Sequence, residues 1–178
     1  MEALMTLVEK TMFLKSVALL SGVPTEPLAQ IASRAREIHV DPGEALFREG
    51  EPNRGVFLVV VGRVVISQGS ALHGIRSTGD GIGELALAES EPHKVTAVAM
   101  DHVHVVNIPT TDLFEIMLDF PEVGVSLARF LAGRVFEVGQ RIGELEGQVA
   151  HLNAVIRAAG LTIPDPSTVL GGEPATKR

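Results

Sequence analysis

The chain has no cysteine, no tryptophan and no tyrosine. Without thiols, neither a disulfide framework nor a thiolate metal centre can form; this fits a reducing compartment, and the cytoplasm is the expected location. Long apolar runs are missing too. None is long enough to cross a bilayer, and Glu2, Glu9 and Lys10 interrupt the N-terminus where a signal peptide would need an unbroken core, so the chain reads as soluble and not membrane-bound by itself. Cations are few: 15 Lys+Arg stand against 22 Asp+Glu, a formal charge of −7. Such a balance repels a polyanion unless the cations gather on one face, and no gathering is visible, so no nucleic-acid partner is expected. No serine or cysteine nucleophile stands with a base, and the carboxylates Asp41 and Glu44 carry no sign of burial, so no catalytic residue is assigned.

What is present is a globular composition. Hydrophobic residues make up 46% of 178 positions, enough for one domain with a real core and an appended element. Leu4, Leu7, Val8, Met12 and Phe13 recur at helical spacing, as do Leu28, Ile31 and Ala32 after Pro24-Thr25, predicting two amphipathic N-terminal helices that cover one end of the domain. From about Ile38 to Pro109 the texture changes to short β-branched runs separated by glycine, proline and charge. This predicts a small antiparallel barrel or roll. Thr110-Thr111-Asp112 offers N-cap residues for a short helix that Phe120-Pro121 ends.

The longest helix comes next. Leu131, Val135, Val138, Ile142, Leu145, Val149, Leu152 and Ile156 alternate by four and three residues, placing β-branched residues at the a positions and Leu131, Leu145 and Leu152 at d. That pattern favours a parallel two-stranded coil, with Arg141 at g facing Glu146 at e of a second copy. A homodimer seam is the expected role; packing of the same stripe on its own domain is the alternative. Gly133, Gly139, Gly143 and Gly147 each cost about 1 kcal/mol against alanine within a helix, so dimer packing has to hold it. The tail 160–178, with Pro164, Pro166 and Pro174, is expected to be disordered.

Gly79-Asp80-Gly81-Ile82-Gly83-Glu84-Leu85-Ala86-Leu87 stands mid-chain, followed by Pro92-His93-Lys94-Val95-Thr96-Ala97-Val98. The glycines allow a tight turn and close approach to a ligand, and Glu84 to Leu87 can start a helix whose free N–H groups favour an anion. This order, together with Asp41 to Gly50 and Val56 to Val65 upstream, resembles the cyclic nucleotide-binding domain of the catabolite activator protein type. The likeness runs from roughly Met12 to Ile156.

The resemblance implies an α+β fold: an antiparallel β-roll (a double-stranded β-helix of jelly-roll type), flanked by N-terminal helices and followed by a long C-terminal coiled-coil helix. The implied segments are 1–120, the nucleotide-binding-like domain; 121–159, the dimerisation helix; and 160–178, the tail, with no room for the helix-turn-helix domain of the transcriptional members. It also implies a non-catalytic regulatory module with cyclic AMP or cyclic GMP as candidate ligand, an unknown effector domain or protein, and no cofactor. Ligand-binding positions would be Gly83, Glu84, Leu85, Ala86, His93, Lys94 and Val95. In the family the glutamate holds a ribose hydroxyl and an arginine neutralises the phosphate. Here Glu84 matches the first role, but the arginine position falls on His93. A guanidinium offers two charged hydrogen bonds, a neutral histidine one ordinary donor, so binding is expected to be weakened or altered. Capping of the short helix is the other role open to Glu84. Val138 and Gly139 occupy the positions of adenine-reading hydroxyls. The alternative to a sensor is a degenerate roll kept for dimerisation or docking. His102-x-His104 places two imidazoles on one side of a strand, but no acidic third ligand follows them, so no metal is expected.

Overall fold

The computed structural model describes residues 4–84 and 92–160. Leu85 and Ala86, and the tail after Gly160, lie outside the described residues. The chain divides into two compact units, Met1–Leu131 and Ala132–Arg178.

In the first unit, α1 (Leu7–Ser16) opens on a reciprocal cap: the Thr6 backbone N–H donates to Glu9 Oε2 at 2.8 Å and the Glu9 N–H donates to Thr6 Oγ1 at 3.2 Å, satisfying two otherwise orphaned donors. Of its apolar stripe Phe13 packs against the core as the spacing predicts, but the rest does not. Leu4, Leu7, Val8 and Met12 are 51–71% exposed, while Leu14 is buried. Burial moves instead into the turn that follows, through Val17, Leu19, Leu20 and Val23. That segment has no helical period, which is why periodicity misplaces the contact. The second helix, α2 (Thr25–Arg34), buries the expected Leu28, Ile31 and Ala32.

Among the described residues, eight strands come next in two antiparallel four-stranded sheets: β1 (Arg36–Val40), β8 (Val103–Ile108), β3 (Val56–Val61) and β6 (Gly81–Ile82) in one, and β2 (Ala45–Phe47), β7 (Thr96–Ala99), β4 (Val64–Gln68) and β5 (Ala71–Arg76) in the other. Strands β3 and β8 hold the centre. On one side Val56, Leu58, Val106 and Ile108 pack with the helices; on the other Phe57, Val59, Val103 and Val105 join Val40, Phe47, Val64 and Ala97 in the interior of the roll. A strand covered on both faces needs apolar residues at consecutive positions, hence the buried run from Val56 to Val59. Burying each such Val, Leu or Ile contributes about 1.5–3 kcal/mol.

The third helix, α3 (Thr110–Asp119), has Pro109 at its N-cap and no side-chain capping bond. Thr110, Thr111 and Asp112 fall inside its first turn, because a proline, which pre-sets helical entry, displaces them by one position. The last helix, α4, runs from Pro121 to Ala158 over 38 residues. Its opening turns belong to the first unit, where Val123 and Leu127 are buried in the helix-covered cluster and Phe130 packs against it. In the second unit the stripe read as a seam is exposed at Val135 (73%), Val138, Ile142, Leu145, Val149 and Leu152, and half-buried at Ile156. Leu131, the last residue of the first unit, is 39% exposed. Arg141 pairs along its own helix with Glu144 at 2.9 Å, and Arg134 with Glu137 at 3.4 Å. These exposed pairs are worth only about 0.3–0.5 kcal/mol each, too little to stop Arg141 from turning to another carboxylate.

Candidate ligand-binding site

The glycine-rich segment leaves the roll by a tight turn. The Gly79 N–H donates to Val59 O at 2.9 Å, the Val59 N–H to Asp80 O at 3.0 Å, and Asp80 Oδ2 accepts from the Ser77 N–H at 2.8 Å. Gly83 then passes against β3: it has a φ of +85°, and a Cβ there would lie 2.9 Å from Gly55 O. Only glycine meets both conditions without strain. At Gly81 the case is different. A Cβ would meet Glu84 Oε1 at 2.9 Å, a contact that the flexible glutamate side chain can relieve by turning away.

A cavity of about 230 Å³ opens here. Gly81 to Glu84 and Pro92 to Val95 form two of its walls; Asn53, Ile66, His73 and Arg76 complete it. Among the sequence-predicted positions, Gly83, Glu84, His93, Lys94 and Val95 are therefore brought together.

His93 is the best fixed of them. Its N–H donates to Glu51 O at 2.9 Å and its carbonyl accepts from the Gly50 N–H at 2.8 Å. The ring lies flat on Phe47, with centroids 3.6 Å apart and planes 9° from parallel. It is 6% exposed, and its Nε2 has no hydrogen-bond partner among the described residues. A buried polar atom without a partner costs about 1–3 kcal/mol. Burial pushes its pKa below the ordinary imidazole value, helped by Arg54 and opposed by Glu51. The ring is therefore neutral at pH 7. A neutral imidazole has one uncharged N–H donor to offer.

The lowered pKa gives a pH dependence of known sign. His93 contributes stability that is fully present above the ordinary value of 6.5 and is lost as the pH falls through the lowered folded value, because the unfolded chain takes up the proton first. Thermal melts of the parent and of His93→Gln, compared between about pH 7.5 and 5, should show the parent losing more stability on acidification. Parallel curves would mean that His93 is not held neutral.

Two cavity residues escape a reading by motif. Arg76 and His73 sit on β5, ahead of the cassette, and the hairpin of β4 with β5, which pairs Val64 with Arg76, carries them to the cavity. Among the described residues the Arg76 guanidinium makes one long bond, from Nη1 to Ile75 O at 3.3 Å. Their only sequence signal is an arginine closing a strand three residues before Gly79. Lys94 is exposed at the rim.

Residues 37–120 match the family model described as the cyclic nucleotide-binding domain. This segment is a cyclic nucleotide-binding domain. The chain is 24% identical over 137 residues to the CRP-like cAMP-activated global transcriptional regulator of Mycobacterium tuberculosis, an alignment that covers 74% of this chain and 61% of the relative. It is also similar to the acetyltransferase Pat of Mycolicibacterium smegmatis, 28% identical over 68% of this chain and 38% of that protein. Among solved structures, the N-terminal domain of a transcriptional regulator from Streptomyces coelicolor superposes with a TM-score of 0.63 at 25% identity, covering 72% of this chain and 95% of the other. The chain thus spans 61% of the length of the curated regulator that it matches. Among the described residues no helix is long and apolar enough to cross a membrane.

Proposed function

We propose that this chain is a non-catalytic, cytoplasmic sensor module that dimerises through α4 and takes a cyclic nucleotide in the cavity between the cassette and β5. The observation that carries the reading is His93 Nε2, buried and without a partner among the described residues, in a ring that lines the same cavity as Glu84 and Arg76. Glu84 would hold the ribose edge. His93 would donate one neutral hydrogen bond to the phosphate, and Arg76 with Lys94 would supply the charge that the histidine lacks. Cyclic AMP and cyclic GMP are the two candidates, bound more weakly than by an arginine site, and the effector is a further domain or protein. No nucleic-acid or membrane contact is assigned to the module itself.

A second reading has its own support. The cavity, at about 230 Å³, is below the roughly 300 Å³ at which small-molecule pockets usually begin. On that reading the roll is a docking or dimerisation module with no nucleotide ligand. Calorimetry on an extensively dialysed sample separates the two. Saturable binding of cyclic AMP or cyclic GMP that falls at least tenfold in Arg76→Ala supports the sensor. A flat titration with both nucleotides supports the degenerate roll. With no Trp and no Tyr, a co-purified purine would also dominate the near-ultraviolet spectrum.

For the dimer, light scattering should give twice the chain mass at micromolar concentration and the single mass for Ile142→Lys, which places a charge at an a position. A single mass for the parent would remove α4 as a seam.

A further inference from the structure

Away from the nucleotide cavity, three histidines and a buried carboxylate meet on the helix-facing side of the β1-β8-β3-β6 sheet. Alternation puts them there. Glu37 and His39 share one side of β1, opposite to Val40; His104 shares its side of β8 with Val106 and Ile108; and the register sets His39 directly across from His104. The hydrophobic part of this face is covered by helices, and its far end is left to imidazoles. His39 and His104 stack with ring centroids 4.3 Å apart, and His102 stacks on His39 at 5.8 Å. Glu37, His39 and His104 each bring a potential ligand atom to within 4.8 Å of the others. A separate cavity of about 520 Å³, lined by His39, His102, His104, Met5 and Glu9, opens beside them.

The carboxylate is held in readiness. The Glu37 side chain is 3% exposed and makes an ion pair with Lys10 Nζ at 3.2 Å. It accepts from the Met5 N–H at 3.2 and 3.1 Å, and its Oε2 lies 3.1 Å from His104 Nε2. The acidic partner absent after His104 in sequence thus comes from another strand.

We propose that Glu37, His39 and His104 form a binding site for one divalent transition-metal ion of the zinc, nickel or copper class, with a fourth position left to water or His102. Two imidazoles and one carboxylate suit ions of this borderline class better than magnesium or calcium, which prefer oxygen donors. Metal–nitrogen bonds of about 2.0–2.1 Å require donors separated by roughly 3.3 Å in a tetrahedron. The donors must therefore close in by about 1.5 Å at most, and tilting the exposed His39 ring supplies most of that movement. The ion would also tie β1 to β8 next to the Met5 and Lys10 contacts of the N-terminal segment.

The test is a zinc chloride titration of the full chain by calorimetry at neutral pH, repeated with cobalt(II), whose visible bands report coordination number. One equivalent per chain is expected. Affinity should drop roughly 100-fold or more in His39→Ala and in Glu37→Gln, beyond or at the top of the range for outer-shell partners, and should be unchanged in His151→Ala, an exposed position on α4. His39→Ala removes an exposed side chain, so it is expected to fold, and its melting curve checks that. Binding that is absent, exceeds one equivalent, or is unchanged in His39→Ala would overturn the site.

Discussion

Gly55→Ala is expected to destabilise the fold by about 3 kcal/mol or more, enough to unfold much of a marginal domain. Two penalties coincide at this position. The backbone has a φ of +126°, and a Cβ would lie 2.1 Å from Ile108 O and 2.9 Å from Ile108 C and Pro109 Cα. All of these neighbours are backbone atoms, so no rotamer change relieves the overlap. They cannot retreat either, because Val56 pairs with Ile108 in the next rung of the β3-β8 ladder. Gly69 provides the control: its φ is +53° with nothing within 4 Å of a built Cβ, so Gly69→Ala should lose only about 1 kcal/mol. Urea unfolding of both variants decides the matter, and equal midpoints would refute the close-approach argument.

The same contact links stability to the ligand cavity. Gly83 comes within reach of Gly55 O, and the nearest side chains to a Cβ on Gly83 are Phe57 and His93. A displaced Gly55 therefore moves a wall of the cavity, and any Gly55→Ala protein that does fold should bind nucleotide more weakly than the parent.

This layering explains which features are legible in the chain directly. Val56 to Val61, the cassette glycines and the heptad stripe each announce themselves through local chemistry, because the property selected is local: an unbroken apolar strand, a positive φ, a 3.5-residue period. The contents of the two sites are not local. Arg76 reaches the cavity only because β5 pairs with β4, and Glu37 meets His104 only because β1 pairs with β8. Register is a tertiary property that no spacing within one strand encodes. The helix α1 illustrates the reverse failure, in which a legible amphipathic stripe stays exposed except at Phe13 because an aperiodic turn, Val17 to Val23, does most of the packing. Counting along the cassette places His93, but its stack on Phe47 and its orphaned Nε2 arise only in the fold.

Those features set the outcome expected for His93→Arg, which should raise cyclic nucleotide affinity by roughly thirty-fold to several-thousand-fold, the equivalent of about 2–5 kcal/mol for a buried charged partner. The backbone at this position is pinned on both sides by Gly50 and Glu51, so a replacement side chain must leave in the same direction, across Phe47. A planar guanidinium can keep that stack through its cation–π attraction while its longer stem carries two donors further into the cavity. Glu51 favours the added charge, and Arg54 opposes it. Without ligand the variant should be less stable than the parent, since a guanidinium cannot shed its proton to escape burial as the histidine does. Added nucleotide should recover that loss and more, giving a larger thermal shift than in the parent. The two effects have opposite signs, which separates a ligand site from a filled pocket. If the variant is destabilised but neither cyclic AMP nor cyclic GMP restores it, the cavity holds no anion, and the roll is a docking module whose cassette keeps only its turn.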